Sequence, residues 1–118
     1  MSVLPRVENV VIPVEKFTEY ILDPMKSRGK WLAFRDALGY TKRNVHDLIT
    51  EIRQNLIHFP AESKGDYGYG ETYAVLMELS GVHGKKTLVM TAWIDDRSSG
   101  EMRLTSAYVK KRKAETND

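Results

Sequence analysis

The chain has 118 residues, no cysteine, 18 basic against 16 acidic side chains and a formal net charge of +2. This length suits one domain with its own core, and the lack of cysteine excludes disulfides and thiolate metal sites. No apolar run approaches the ~20 residues that a membrane-spanning helix needs, and Met1-Ser2-Val3-Leu4-Pro5-Arg6 lacks the layout of a signal peptide, so a cytoplasmic protein with no membrane partner is expected.

A single domain is expected over 1–118, with its core at about 10–109 and a polar tail at 110–118. The leader to residue 12 ends in the β-branched run Val10-Val11-Ile12, which suits an edge strand. Pro13 suits the first position of a helix. Val14, Phe17, Ile21 and Leu22 follow at helical spacing, and Asp23-Pro24 ends the segment. After a basic loop, Trp31, Phe34 and Leu38 mark a second helix, with Gly39 as its C-cap. Thr41 or Asn44 can cap a third, whose apolar stripe is Val45, Leu48, Ile49, Ile52 and Leu56. Residues 60–70 read as a glycine-rich loop.

Beyond that loop the period changes from 3.6 to 2. Glu71–Leu79, Lys86–Ile94 and Glu101–Val109 read as strands joined by glycine-containing turns. The expected fold class is therefore α+β: three N-terminal helices packed on one face of an antiparallel meander of three to four strands.

Alternation within the meander fixes which side chains share a face. Pairing Leu79 with Lys86 sets Met77 against Leu88, Val75 against Met90 and Tyr73 against Ala92, an apolar face for the helices. Pairing Ile94 with Met102 continues that face and sets Trp93 opposite Arg103 and Thr91 opposite Thr105 on the other. An indole, a guanidinium and two hydroxyls then cluster there. Such pairs stabilise a solvent-facing sheet, and they are also groups that bind ligands.

Charge is polarised along the chain. From Pro24 to Arg43 six basic residues stand against one acid; from Asn44 to Ser80 two stand against six. A basic patch of this kind can meet phosphates or an acidic protein, or can be plain solvated surface. Phosphate-binding glycine loops and nucleophile elbows are absent. His46, His58 and His83 lack metal-ligand spacing, so neither a metal nor a cofactor is expected. Asp95 and Asp96 read as turn residues, and the basic run Lys110–Lys113 as a solvated tail.

The order of segments matters more than any one motif. Lys16-Phe17-Thr18-Glu19-Tyr20-Ile21-Leu22-Asp23-Pro24 precedes the basic loop and Lys30…Phe34…Ala37-Leu38-Gly39-Tyr40. Then come Gly70-Glu71-Thr72-Tyr73, Gly81-Val82-His83-Gly84, Thr91-Ala92-Trp93-Ile94 and Met102-Arg103-Leu104-Thr105-Ser106. Over about residues 10–109 this resembles an uncharacterised bacterial domain family, found as short stand-alone proteins and as C-terminal modules of larger secreted ones. That family in turn resembles the barnase–EndoU–colicin–RelE group of small ribonuclease toxins. The resemblance implies helices on an antiparallel sheet, an active site on the sheet's open face and RNA cleavage without a metal. In that chemistry the ribose 2′-hydroxyl attacks the adjacent phosphate, which needs a proton acceptor, a proton donor and cations.

Carried over by residue, the resemblance implies that Arg103 stabilises the phosphorane and Lys30 holds phosphate. Thr91 and Thr105 orient it, and Trp93 stacks on a base. Lys26 and Arg28, in the basic segment beside Lys30, are further candidate substrate contacts. Relatives often carry His-Pro after the first helix, where this chain has Met25-Lys26-Ser27. If that histidine is the base, His46, Tyr69 or Tyr73 must replace it, or activity is lost. The expected function is thus a toxin-like ribonuclease or RNA-binding protein of a bacterial toxin–antitoxin or conflict system, neutralised by a small antitoxin-like protein. The alternatives are a non-catalytic antitoxin or immunity module and a scaffold domain whose Trp93–Arg103 pair is structural. An exposed strand, Glu101–Val109 or Val10–Ile12, offers an edge for a homodimer.

Overall fold

Val45, Leu48, Ile52 and Leu56, the clearest helical stripe in the sequence, are all buried along helix α3 (Val45–Leu56). The computed structural model describes residues 2–110. Its first helix, α1 (Val14–Lys16), runs on as a π-helical turn at Phe17–Ile21, which the Leu22 N–H closes on the Phe17 carbonyl at 2.7 Å. Helix α2 spans Arg28–Leu38 and ends at Gly39. Thr41 and Asn44 both serve the next start. The Arg43 N–H donates to the Thr41 hydroxyl, and the Thr41 N–H donates to the Asn44 side chain.

The sheet has four antiparallel strands in the order β1-β2-β3-β4: β1 (Glu62–Asp66), β2 (Glu71–Ser80), β3 (Lys86–Asp96) and β4 (Glu101–Val109). The fold is α+β with the helices N-terminal to the strands, as expected. The fourth strand comes from residues 62–66, inside the segment read as a loop, and not from the leader. Val11 makes only an isolated parallel bridge to Arg103. Its N–H donates to the Met102 carbonyl at 2.8 Å, and the Leu104 N–H donates to its carbonyl at 2.9 Å. That bridge occupies part of the β4 edge that was expected to be open for a homodimer. The polar tail lies, apart from Lys110, outside the described residues.

The register differs by one residue from the expected one. Lys86 pairs with Ser80 and not Leu79, so Val75 faces Thr91, Met77 faces Val89 and Tyr73 faces Trp93. The physical reason lies in the turn. Gly81 is pressed against the end of α2, where a Cβ would stand 2.4 Å from the Leu38 carbonyl oxygen, and the Gly81 N–H donates to the Lys85 carbonyl. These contacts close the turn over residues 81–85. One face of the sheet therefore carries Val75, Met77, Leu79, Val89, Thr91 and Trp93 into the core with Phe17, Phe34 and Leu48.

A second irregularity sits between β3 and β4. Trp93 pairs with Leu104 and Ala92 with Ser106, which leaves Thr105 as the extra residue of a β-bulge. Met102 and Leu104 face the core before it, Ala107 after it.

Candidate functional site at the β4 margin

The one-residue shift divides the expected cluster. Trp93 is 1% exposed and Thr91 wholly buried. The Trp93 indole N–H donates to the Thr91 hydroxyl at 2.8 Å, and that hydroxyl donates to the Val75 carbonyl at 2.8 Å. Indole, hydroxyl and carbonyl form a closed chain under the helices. Trp93 has no open face to offer a base, and Thr91 has no free donor. Both expectations are corrected: this pair satisfies buried polar groups.

Arg103 and Thr105 stay on the opposite, open face, and the bulge adds Ser106 to them. Leu104 and Ala107 point into the core, so both hydroxyls between them emerge on the open side. Lys30, in the first turn of α2, reaches round the sheet's edge, and its ammonium donates to the Ser106 hydroxyl at 3.2 Å. Three of the expected residues, Lys30, Arg103 and Thr105, thus lie along one margin. Arg103 also donates to the Glu101 carboxylate at 2.8 Å, which uses one corner of its fork. Lys30 and Arg28 form no ion pair among the described residues. Lys26 is engaged elsewhere, its ammonium 5.1 Å from the Tyr20 ring centre.

The centre of the open face is apolar. Leu76 pairs with Met90 and Met90 with Tyr108; Ala74 pairs with Ala92 and Ala92 with Ser106. Tyr108 is 40% exposed. Beside Met90 lies a shallow groove of about 510 Å³ lined by Pro60, Ala61, Glu62, Ala74 and Leu76. The charges on this face are asymmetric. Glu62 and Glu78 stand on the β1–β2 side, with Lys64 3.3 Å from Glu62; Lys30 and Arg103 stand at β4, with Glu101 paired to Arg103. Sequence reasoning missed Ser106 and Tyr108. Their signal was the change of apolar parity from Met102 and Leu104 to Ala107 and Val109, which marks the extra residue.

The proton acceptors weighed from the sequence lie away from this margin. Tyr73 faces the core beside Trp93, and His46 lies on α3, which packs against β2. Tyr69 belongs to the tip between β1 and β2. There Arg97 binds the Asp66 carboxylate and the Gly68 carbonyl. The Gly68 N–H, followed by the Arg97 charge, holds the Asp66 carboxyl below its ordinary value. Gly70 completes the tip at φ 142°, where a Cβ would stand 1.9 Å from the Asp95 carbonyl oxygen. Tyr67 and Tyr69 project from it, each 77% exposed.

What the margin can do is hold an anion: the Lys30 ammonium at the Ser106 hydroxyl, with Thr105 next to it and the Glu101-paired Arg103 further along the strand, borders an apolar floor. No helix of the described residues is long and apolar enough to cross a membrane. No curated protein and no solved structure matches the chain. The model of one family, a domain of unknown function (DUF6883), matches residues 3–111, and the chain belongs to that family.

Proposed function

We propose that this domain engages RNA through the β4 margin, as a toxin-like, metal-independent ribonuclease or RNA-binding protein of a bacterial conflict system, acting in the cytoplasm and held in check by a small protein partner. The observation that carries the reading is the Lys30 ammonium crossing the sheet edge to Ser106, beside Arg103 and Thr105. Cations and hydroxyls on one strand edge suit a phosphodiester: the cations meet its charge, and the hydroxyls donate to its oxygens. The same groups favour a pentavalent phosphorus centre as negative charge builds on it. Recognition is the part of the reading that these side chains carry directly. Cleavage needs in addition a proton acceptor brought to the margin.

Purified protein incubated with total RNA and tRNA in excess EDTA, beside Arg103→Ala, tests this. Cleavage by the wild type that the variant lacks supports the nuclease reading. Binding without cleavage, weakened in the variant, supports the RNA-binding form. An absence of both cleavage and binding overturns it.

A protein-binding module is the second reading, favoured by Tyr67 and Tyr69 on the tip that Arg97 ties down. Exposed tyrosines on a fixed support are the groups that anchor protein interfaces.

A further inference from the structure

We infer that the ligand of the open face is single-stranded RNA, with a base stacked on Tyr108 and its phosphates along Lys30, Ser106 and Arg103; this rests on the RNA reading above. The face is amphipathic in one direction. Across the strands it runs from Glu62 and Glu78, through the floor of Ala74, Leu76, Met90 and Ala92, to the cations at β4. A single strand has the matching chemistry. Its phosphates need cations on one side, and its unpaired bases need an apolar, aromatic surface next to them. Glu78 on the far side disfavours a backbone laid there, and Lys30 at β4 has no acidic partner among the described residues, so the phosphates belong on the β4 side with the bases toward Met90.

Tyr108 is placed for the stacking contact that Trp93 cannot make. It is two residues from Ser106 on the same strand face, paired with Met90, and exposed. Along β4, Tyr108 and Arg103 stand opposite Met90 and Ile94, four ladder positions apart because of the bulge, about 13 Å at the usual rise per residue, room for on the order of two bases laid on a sheet. The floor behind the ring is continuous with the groove at Pro60, Ala61 and Leu76, where a base edge can leave water. A duplex hides its base faces within its own stack and presents only backbone and groove edges, so it leaves both Tyr108 and the apolar floor unused.

The test is fluorescence anisotropy with a labelled 2′-O-methyl oligouridine, whose blocked 2′-oxygen cannot attack phosphorus, in excess EDTA at low salt. The same strand annealed to its complement is the duplex probe. Wild type, Tyr108→Ala, Tyr108→Phe and Arg103→Ala are compared, with thermal melts to show that each is folded. The expected result is single-strand binding that weakens about tenfold in Tyr108→Ala, stays within about twofold in Tyr108→Phe, where the ring is kept, and exceeds duplex binding by about tenfold. Tyr108→Ala binding like wild type, or duplex binding like single strand, overturns the inference while leaving the RNA reading intact, provided that Arg103→Ala still weakens binding. No binding of either probe by the wild type overturns both.

Discussion

Thr91 sits at the centre of a three-group chain, taking a hydrogen bond from the Trp93 indole and giving one to the Val75 carbonyl. Replacing it with valine keeps the shape and removes both bonds, so a buried N–H is left without an acceptor. Thr91→Val is expected to cost about 1–3 kcal/mol, read as a lower midpoint in urea unfolding with an unchanged slope. A threonine on an open sheet face would change stability by no more than about 0.5 kcal/mol, so a result of that size would contradict the burial described here. The side chains of Arg103 and Thr105 obey the other logic. They lie at a solvated margin, and their replacement is expected to leave the melting temperature nearly unchanged while altering what the margin binds. That contrast separates the residues that build the sheet from those that use it.

One carboxylate takes part in joining the two hairpin tips, beside the bonds that the Arg97 side chain and N–H give to the Gly68 and Tyr69 carbonyls. Asp66 accepts from the Gly68 N–H, bonds Arg97 on the neighbouring tip, and is held below its ordinary value of 3.8. The depressed value means that the folded chain favours the ionised form. Its contribution is fully present above about pH 4, the unfolded range, and fades as pH falls through the folded value below it. Asp23 and Asp96 are displaced in the same direction, by the Met25 N–H and by the Ser98 hydroxyl respectively, so they steepen the same acid limb. Asp66→Asn is expected to be less stable than wild type at neutral pH and to lose less between pH 5 and pH 2, measured as melting temperature across that range. At this scale much was legible in the sequence. Three helical stripes and three alternating runs carry their own periodicity, and each became an element. Strand β1 was not legible, because Glu62-Ser63-Lys64-Gly65-Asp66 has no apolar alternation; it exists through its pairing with β2. The candidate site was half legible. Strand alternation singled out Arg103 and Thr105 and the family resemblance Lys30, and the three lie along one margin, but the faces of Trp93 and Thr91 depended on a turn closed by Gly81 against Leu38, a contact between segments far apart in the chain.

Across the molecule, the polarity seen along the sequence becomes a polarity across the sheet. Lys30 in the first turn of α2 reaches Ser106 on β4, while Glu51 on α3 accepts from the Ser80 N–H at the end of β2. An RNA bound at the β4 side releases counterions as its phosphates are met. Log affinity is therefore expected to fall linearly with log salt, by about 0.7 for each phosphate contacted on a single strand. Lys30→Ala and Arg103→Ala should each flatten the slope by about that much, whereas Glu78→Ala should leave the slope unchanged, as titrations from 50 to 200 mM salt would show. The bulge at Thr105 also sets how this chain tolerates changes of length. Leu104 and Ser106 already occupy successive partner positions opposite Trp93 and Ala92, so Thr105 is the one residue of β4 without a place in the ladder. Its loss would leave a regular strand with Met102, Leu104 and Ala107 still facing the core. Loss of Leu104 or Ala107 would instead force the ladder to slip or leave a hole in the core. The strand thus carries a single position at which a codon can be deleted without turning the sheet inside out, and it is the position that sets two hydroxyls side by side at the margin.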